Sequence, residues 1–124
     1  MHPFSPLTPD EIRNYDPIHL GSGGFCFVVA ELLKEKYPQA KLWRLTNRER
    51  TTYDHVFVCI DGKPCDIHGF RSFDQMRFDL DNKSLVEVPA DAQAIQDYFY
   101  HRYSPEQLTA ARAVLCDAVM RLNL

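Results

Sequence analysis

An Asp-Gly pair at positions 61 and 62 separates two short runs in which apolar and polar residues alternate, HVFVCI and KPCDIHGF. Because Asp-Gly favours the left-handed backbone of a tight two-residue turn, this pattern predicts a β-hairpin. A two-residue loop pairs Val58 with Cys65 and His55 with His68. The register therefore divides the side chains between two faces of a sheet.

The two faces of this predicted hairpin differ in chemistry. One face is apolar and suits a protein core: Val56, Val58, Ile60, Cys65 and Ile67. The other face carries most of the chemically active side chains: His55, Phe57, Cys59, Asp66 and His68. A slip of one residue would bury Asp66 among the valines, which the cost of burying a charge opposes. In this register His55 and Asp66 are diagonal neighbours, within reach of an imidazole–carboxylate hydrogen bond.

Helices are predicted towards both ends of the chain and strands between them. Apolar residues recur at three- and four-residue spacing over about 24–36, and Ser104-Pro105 with Gln107 forms a capping box for a last helix. Two further strands are predicted in KLWRL and KSLVEVPA. The sequence therefore predicts one α+β domain over residues 1–124. It has a small antiparallel sheet, an N-terminal helix packed on it and a helical part over about 90–122.

Composition excludes several classes of partner. Fourteen Lys and Arg against seventeen Asp and Glu give a formal net charge of −3, so no nucleic-acid partner is expected. No apolar run approaches the length of a membrane span, and the N-terminal segment lacks the basic and apolar pattern of a signal peptide. We therefore expect a cytoplasmic protein without a membrane partner, whose four cysteines are reduced thiols.

The segment GSGGFCFVVAELL places Cys26 at the predicted start of a helix, behind a glycine-rich turn. The free backbone N–H groups and the dipole at a helix N-terminus favour a thiolate. A neighbouring imidazolium strengthens this preference, and a carboxylate fixes the tautomer of the imidazole. The chain supplies these three groups as Cys26, His55 and Asp66, and the N–H of Cys26 could serve an oxyanion hole.

The motifs GGFCFVVAELL, DHVFVCIDG and KPCDIHG make the chain similar to the papain-like superfamily of cysteine hydrolases and transferases, closest to its small transglutaminase-like members. The resemblance spans about residues 21–70 and implies a papain- or transglutaminase-like core. It implies acyl transfer from an amide through a thioester, ending in hydrolysis, deamidation or cross-linking, and no cofactor. Cys26 would be the nucleophile, His55 the general base and acid, and Asp66 the orienting carboxylate. The substrate would be a protein or a small amide.

The chain departs from papain-like proteases in two places. No glutamine precedes Cys26 to build the oxyanion hole, and the only tryptophan, Trp43, is not beside the cysteine. Backbone N–H groups alone could replace the glutamine. Side chains or backbone groups that could contact the oxyanion or the substrate lie near the cysteine or on the hairpin: His19, Ser22, Gly24, Asn14, His68 and Cys59. Of these, His68 is also an alternative base, and Cys59 is either a second thiol or a buried spectator.

Each of these residues also has a structural interpretation. A cysteine in a helix is often a small core residue, His55 alone could be structural, and Asp66 could belong to a turn or an edge. A zinc site built from His55, Cys59, Cys65 and His68 is opposed by the register, which turns Cys65 away from the other three. Two further functions stay open. One is a non-catalytic inhibitor, phage- or mobile-element-encoded, that binds a host protein. The other is a secreted effector that modifies host glutamines.

Overall fold

The structure, a computed structural model, describes Phe4 and residues 6–124. Within these residues the α-helices are α1 (Pro9–Arg13), α2 (Pro17–Ser22), α3 (Cys26–Lys36), α4 (Phe73–Asp79), α5 (Ala92–Phe99) and α6 (Pro105–Met120), with a 3₁₀ turn (Tyr100–Arg102) after α5. The strands are β1 (Lys41–Thr46), β2 (His55–Ile60), β3 (Lys63–Asp66), β4 (Gly69–Phe70) and β5 (Val86–Pro89). The predicted α+β class is confirmed.

The strands form one sheet in the order β4-β3-β2-β1-β5, and each neighbouring pair is antiparallel. The Asp-Gly hairpin is confirmed, because Val58 lies opposite Cys65 and Ile60 lies opposite Lys63. Asp61 and Gly62 have φ angles of 52° and 80°, as a two-residue turn of this kind requires. The register that sorts the side chains between the two faces is therefore the predicted one.

β3 ends earlier than the sequence predicted, which corrects the predicted pairing of His55 with His68. The chain turns through Ile67 and His68 and returns as β4, whose Gly69 lies opposite Asp66. Gly69 has a φ of 89°, a left-handed conformation that glycine adopts without steric cost. The first residues of β2 therefore have no partner in β3. Other elements pack beside these residues.

Apolar clusters cover both faces of the sheet. α3 packs on one face, against the side chains that the register assigned to the core: Val56, Val58, Ile60, Cys65 and Ile67. A second cluster on the other face includes a residue of α4: Leu45, Phe57, Cys59, Met76 and Leu85. Each large apolar side chain buried in this way contributes roughly 1.5–3 kcal/mol. The sequence predicted the first cluster, whereas the helix that covers the second face was not predicted.

The predicted capping box at the last helix is confirmed, and it also ties the two ends of the chain together. Ser104 accepts from the N–H of Gln107, and the side chain of Gln107 accepts from the N–H of Ser104. The same Gln107 donates from Nε2 to the carbonyl oxygen of Leu7 across 2.8 Å. α6 is thereby held against the segment that leads into α1 and α2.

Gly21 of α2 packs against Val29 and Ile67 of the core. It is buried, and a Cβ added there would lie 2.9 Å from Val29 Cγ2 and 3.0 Å from Ile67 Cγ1. Overpacking of this kind costs about 1–3 kcal/mol, which exceeds the roughly 1 kcal/mol that alanine gains over glycine in helix propensity. We expect Gly21→Ala to lower the free energy of unfolding by about 1 kcal/mol, measured by urea denaturation. An unchanged or higher midpoint would show that Val29 and Ile67 can move aside.

Candidate active site

Cys26 is the first residue of α3, two positions after the predicted start of the helix. The residue is buried, with 4% of its surface exposed. The backbone N–H of Val56 donates a hydrogen bond to Cys26 Sγ across 3.3 Å. Because β3 pairs with β2 only from Val58 onwards, this N–H lies beyond the paired part of the hairpin. The sulfur therefore lies at a helix N-terminus and at a backbone donor, both of which provide positive potential.

His55 and Asp66 form the hydrogen bond that the hairpin register predicted. Nε2 of His55 lies 3.0 Å from Oδ2 of Asp66, and both residues are buried. Burial alone lowers the pKa of His55, but its hydrogen bonds to Asp66 and Cys26, together with their negative charges, raise the pKa to about 9. Since Nε2 is occupied by the carboxylate, Nδ1 is the ring nitrogen left for the thiol. The structure thus brings the predicted thiol, imidazole and carboxylate together, with the imidazole hydrogen-bonded to the carboxylate and its pKa raised by the thiol.

Asp66 is held by three other residues. Its Oδ1 accepts the backbone N–H of His68 across 2.9 Å, and its Oδ2 lies 3.5 Å from Nη1 of Arg71 as well as beside His55. Burial raises the pKa of Asp66, but the hydrogen bond and charge of His55, the N–H of His68 and the charge of Arg71 together lower it. The carboxylate is therefore ionised at neutral pH and holds a proton on Nε2 of His55.

Arg71 is the residue of this site that the sequence did not reveal. Its side chain, 14% exposed, lies beside Asp66 and also pairs with Asp79 of α4, where Nη2 and Oδ2 are 2.6 Å apart. The sequence shows only an arginine five residues after Asp66. This spacing brings Arg71 next to Asp66 only because the chain turns back after β3. Neither this turn nor α4 was predicted.

Three of the predicted contact residues line a cavity beside the imidazole and the carboxylate. The cavity has a volume of about 290 Å³ and lies between α2, β3 and α4; His19, Ser22 and His68 are among its lining residues. Ser22 Oγ donates to the carbonyl of Ile18, and His19 Nδ1 lies 2.9 Å from Oδ2 of Asp16. Within the described residues, the lining includes His55 and Asp66 and stops short of the Cys26 thiol.

The backbone around Cys26 corrects one prediction for the oxyanion hole. The N–H of Cys26 donates to the carbonyl of Gly23 across 3.2 Å, so it is engaged in the turn before α3. The carbonyl of Gly24 accepts the hydroxyl of Tyr103 across 3.2 Å, which makes Gly24 part of the packing around the turn. The side chain of Asn14 donates to the carbonyl of Asp10 at the end of α1, away from the cavity lining.

Cys59 lies apart from the site. It belongs to the second apolar cluster and is four residues along β2 from His55, roughly 13 Å at strand spacing. Burial raises the pKa of its thiol to about 11. The interpretation as a second active thiol is therefore not supported, and that of a buried spectator fits the geometry.

The described residues contain neither a cluster of metal-ligating side chains nor a helix that could span a membrane. Among Phe4 and residues 6–124, no three His, Cys, Asp or Glu side chains are grouped as metal ligands would be. Cys65 and Cys59 lie in different clusters on opposite faces of the sheet. None of the helices in the described part of the chain has the length and hydropathy that a membrane span requires. The prediction that the chain has no export signal depends partly on residues 1–3 and 5, which lie outside the described residues.

Comparison with known proteins identifies a family. No curated protein and no solved structure matches the chain. A family model described as "Phage YunG-like protein" matches residues 7–109. The matched range contains the whole sheet, α1 to α5 and the four residues of the hydrogen-bonded site: Cys26, His55, Asp66 and Arg71. Because the match covers most of the chain, this protein belongs to the Phage YunG-like family.

Proposed function

We propose that this protein is a cysteine-dependent acyl-transfer enzyme acting on an amide. Cys26 is the nucleophile, His55 the general base and acid, and Asp66 the carboxylate that orients the imidazole. One observation carries the proposal: the imidazole is hydrogen-bonded to the carboxylate through Nε2 at 3.0 Å, and the cysteine that begins α3 lies close enough to raise the pKa of His55. This is the arrangement that a thiol nucleophile requires of its base.

The proposed reaction uses these groups in sequence. The thiol proton already lies on Nδ1 of His55, as a His55 pKa of about 9 requires at neutral pH. The thiolate attacks the carbonyl carbon of the amide to form a tetrahedral intermediate. The imidazolium then gives its proton to the leaving nitrogen, the C–N bond breaks and a thioester remains on Cys26. Water or a primary amine attacks the thioester with His55 as base, which releases an acid or a new amide and regenerates the thiol. Asp66 stabilises the imidazolium in both halves of the reaction.

The order of elements supports the papain-like or transglutaminase-like interpretation. A cysteine begins a helix, a histidine begins the strand against which this helix packs, and an aspartate ends the next strand. We propose an amide of a protein or of a small molecule as the substrate. Whether the reaction ends in hydrolysis, deamidation or cross-linking depends on the nucleophile that reaches the thioester.

A second candidate function is a non-catalytic inhibitor, phage-encoded, that binds a host protein. Two observations favour it. The matching family is described as a phage family, and the cysteine, histidine and aspartate are each no more than 4% exposed. In such a protein the hydrogen-bonded triad would be a structural feature of the core, and binding would not depend on the thiol.

The alkylation rate of Cys26 as a function of pH tests the thiol–imidazole pair. Between pH 6 and 7 we expect wild-type Cys26 to react with iodoacetamide about tenfold or more faster than in His55→Ala, because an isolated thiol with a pKa near 8.5 is almost fully protonated there. Mass spectrometry of the Cys26 peptide gives the rate. The exposed Cys116 is the internal reference and should react equally in both proteins. Equal Cys26 rates in the two proteins would overturn the proposed pair.

A further inference from the structure

Arg71 links the carboxylate of the proposed triad to helix α4. Its Nη1 lies 3.5 Å from Oδ2 of Asp66, and its Nη2 lies 2.6 Å from Oδ2 of Asp79 and 3.3 Å from the carbonyl of Gln75. Its backbone N–H is bonded to the carbonyl of Pro64 in β3 across 3.0 Å. The guanidinium is thus fixed from both sides, and it brings a permanent positive charge to a carboxylate that is 2% exposed.

The proposed reaction changes the charge that faces this carboxylate. While His55 is an imidazolium, Asp66 has a cationic partner on Nε2. After the proton has passed to the leaving nitrogen, His55 is neutral, and a buried carboxylate without a cation is costly. Oδ1 then still accepts the backbone N–H of His68, and Oδ2 still accepts the Nε2–H of the neutral imidazole. The positive charge that remains beside Oδ2 is the guanidinium of Arg71.

We propose that Arg71 is a positioning residue that acts through Asp66: its fixed charge keeps the buried carboxylate ionised, and so correctly oriented, when His55 gives up its proton. This inference rests on the acyl-transfer function proposed above. Asp79 holds the guanidinium in place and offsets part of its charge. Titratable and charged groups face the pair from every side: Cys26 from α3, His19 from α2, His68 and Arg71 from the chain after β3, and Asp79 from α4.

The direction in which the pKa of His55 changes when Arg71 is removed separates an electrostatic role of Arg71 from a merely structural one. Removing a positive charge near a titrating imidazole favours its protonated form, so loss of Arg71 raises the pKa of His55. If Arg71 only held α4 in place, its loss would open the site to water, and the pKa of His55 would fall from about 9 towards its ordinary value of 6.5.

The experiment is an NMR titration of the His55 imidazole in the full chain, assigned by the signal that disappears in His55→Gln. In Arg71→Gln we expect the pKa of His55 to rise by about one unit, and in Arg71→Lys to stay close to the wild-type value. In Asp79→Asn the pKa should fall, because the charge of Arg71 is no longer offset. Arg77→Gln is the matched control, since Arg77 ties α4 to Glu87 without touching Asp66; there the pKa should not change.

Either a fall or no change of the His55 pKa in Arg71→Gln overturns the inference. Should that variant fail to fold, as circular dichroism would show, an unchanged or higher pKa in Asp79→Asn overturns it equally. The titration requires no substrate, so it is independent of turnover. If the pKa of His55 rises in Arg71→Gln but the wild-type protein turns over no amide, the charge coupling is supported and the proposed function is contradicted. Cys26-dependent turnover with no pKa change in Arg71→Gln removes this inference alone.

Discussion

Cys26→Ala is expected to abolish amide turnover, with a loss of roughly 10³-fold or more, while the protein stays folded. Without the sulfur no thioester can form, so the remaining groups can only assist direct attack by water. The cost to the fold is limited. The substitution removes the acceptor of the Val56 N–H, and leaving a buried donor without a partner costs about 1–3 kcal/mol.

Two further variants make this measurement specific. Cys26→Ser keeps an acceptor for the Val56 N–H and should be as inactive as Cys26→Ala, because a hydroxyl is much harder to ionise than a thiol. Cys116→Ala removes an exposed thiol of α6 and should leave turnover unchanged. Three assays cover the three outcomes of the thioester: ammonia release from casein glutamines, incorporation of a fluorescent primary amine into casein, and cleavage of a peptide anilide.

Turnover that persists in Cys26→Ala would contradict the proposed mechanism. Absence of turnover in the wild type, combined with tight binding to a host protein that Cys26→Ala leaves unaffected, would favour the inhibitor function instead. Loss of that binding in a folded Cys26→Ala protein would count against the inhibitor, since its binding surface does not require the thiol.

The sequence predicted the sheet register and the central part of the site because local rules determine both. An Asp-Gly turn fixes which residues pair, and strict alternation then assigns Asp66 and His55 to the same face. The helix that begins at Cys26 followed from apolar spacing. These features depend on neighbours within a few residues or on a single short hairpin.

The parts that were missed depend on contacts between distant segments. α4 does have a local signal, the capping box of Ser72 and Gln75, but its apolar residues are few, and it is stabilised by packing on the second face of the sheet through Met76. Arg71 becomes part of the site only because β4 turns back beside β3 and α4 supplies Asp79. The spacing of residues along the sequence predicts neither the turn nor the packing.

The free energy of unfolding is expected to fall by about 3 kcal/mol between pH 6 and pH 10 because of His55. The pKa of His55 is raised from 6.5 to about 9 by folding, so the folded state binds this proton more tightly than the unfolded chain does. The resulting stabilisation is fully present below pH 6.5 and is lost as the pH rises through about 9. For Asp66, whose pKa folding lowers from 3.8, stabilisation is present above that value and is lost as the pH falls through its folded pKa.

The two shifts together predict a stability plateau between about pH 4 and pH 6.5, bounded by the ordinary pKa values of Asp66 and His55. Urea denaturation at pH 6 and pH 10 measures the fall above it. The double variant His55→Gln/Asp66→Asn replaces the pair by neutral amides and keeps the rest of the chain, so it is the reference protein. The stability difference between the two proteins should therefore shrink by about 3 kcal/mol from pH 6 to pH 10. A difference that stays constant over this range would show that His55 does not bind its proton more tightly in the folded protein, and the charged thiol–imidazole–carboxylate site would have to be abandoned.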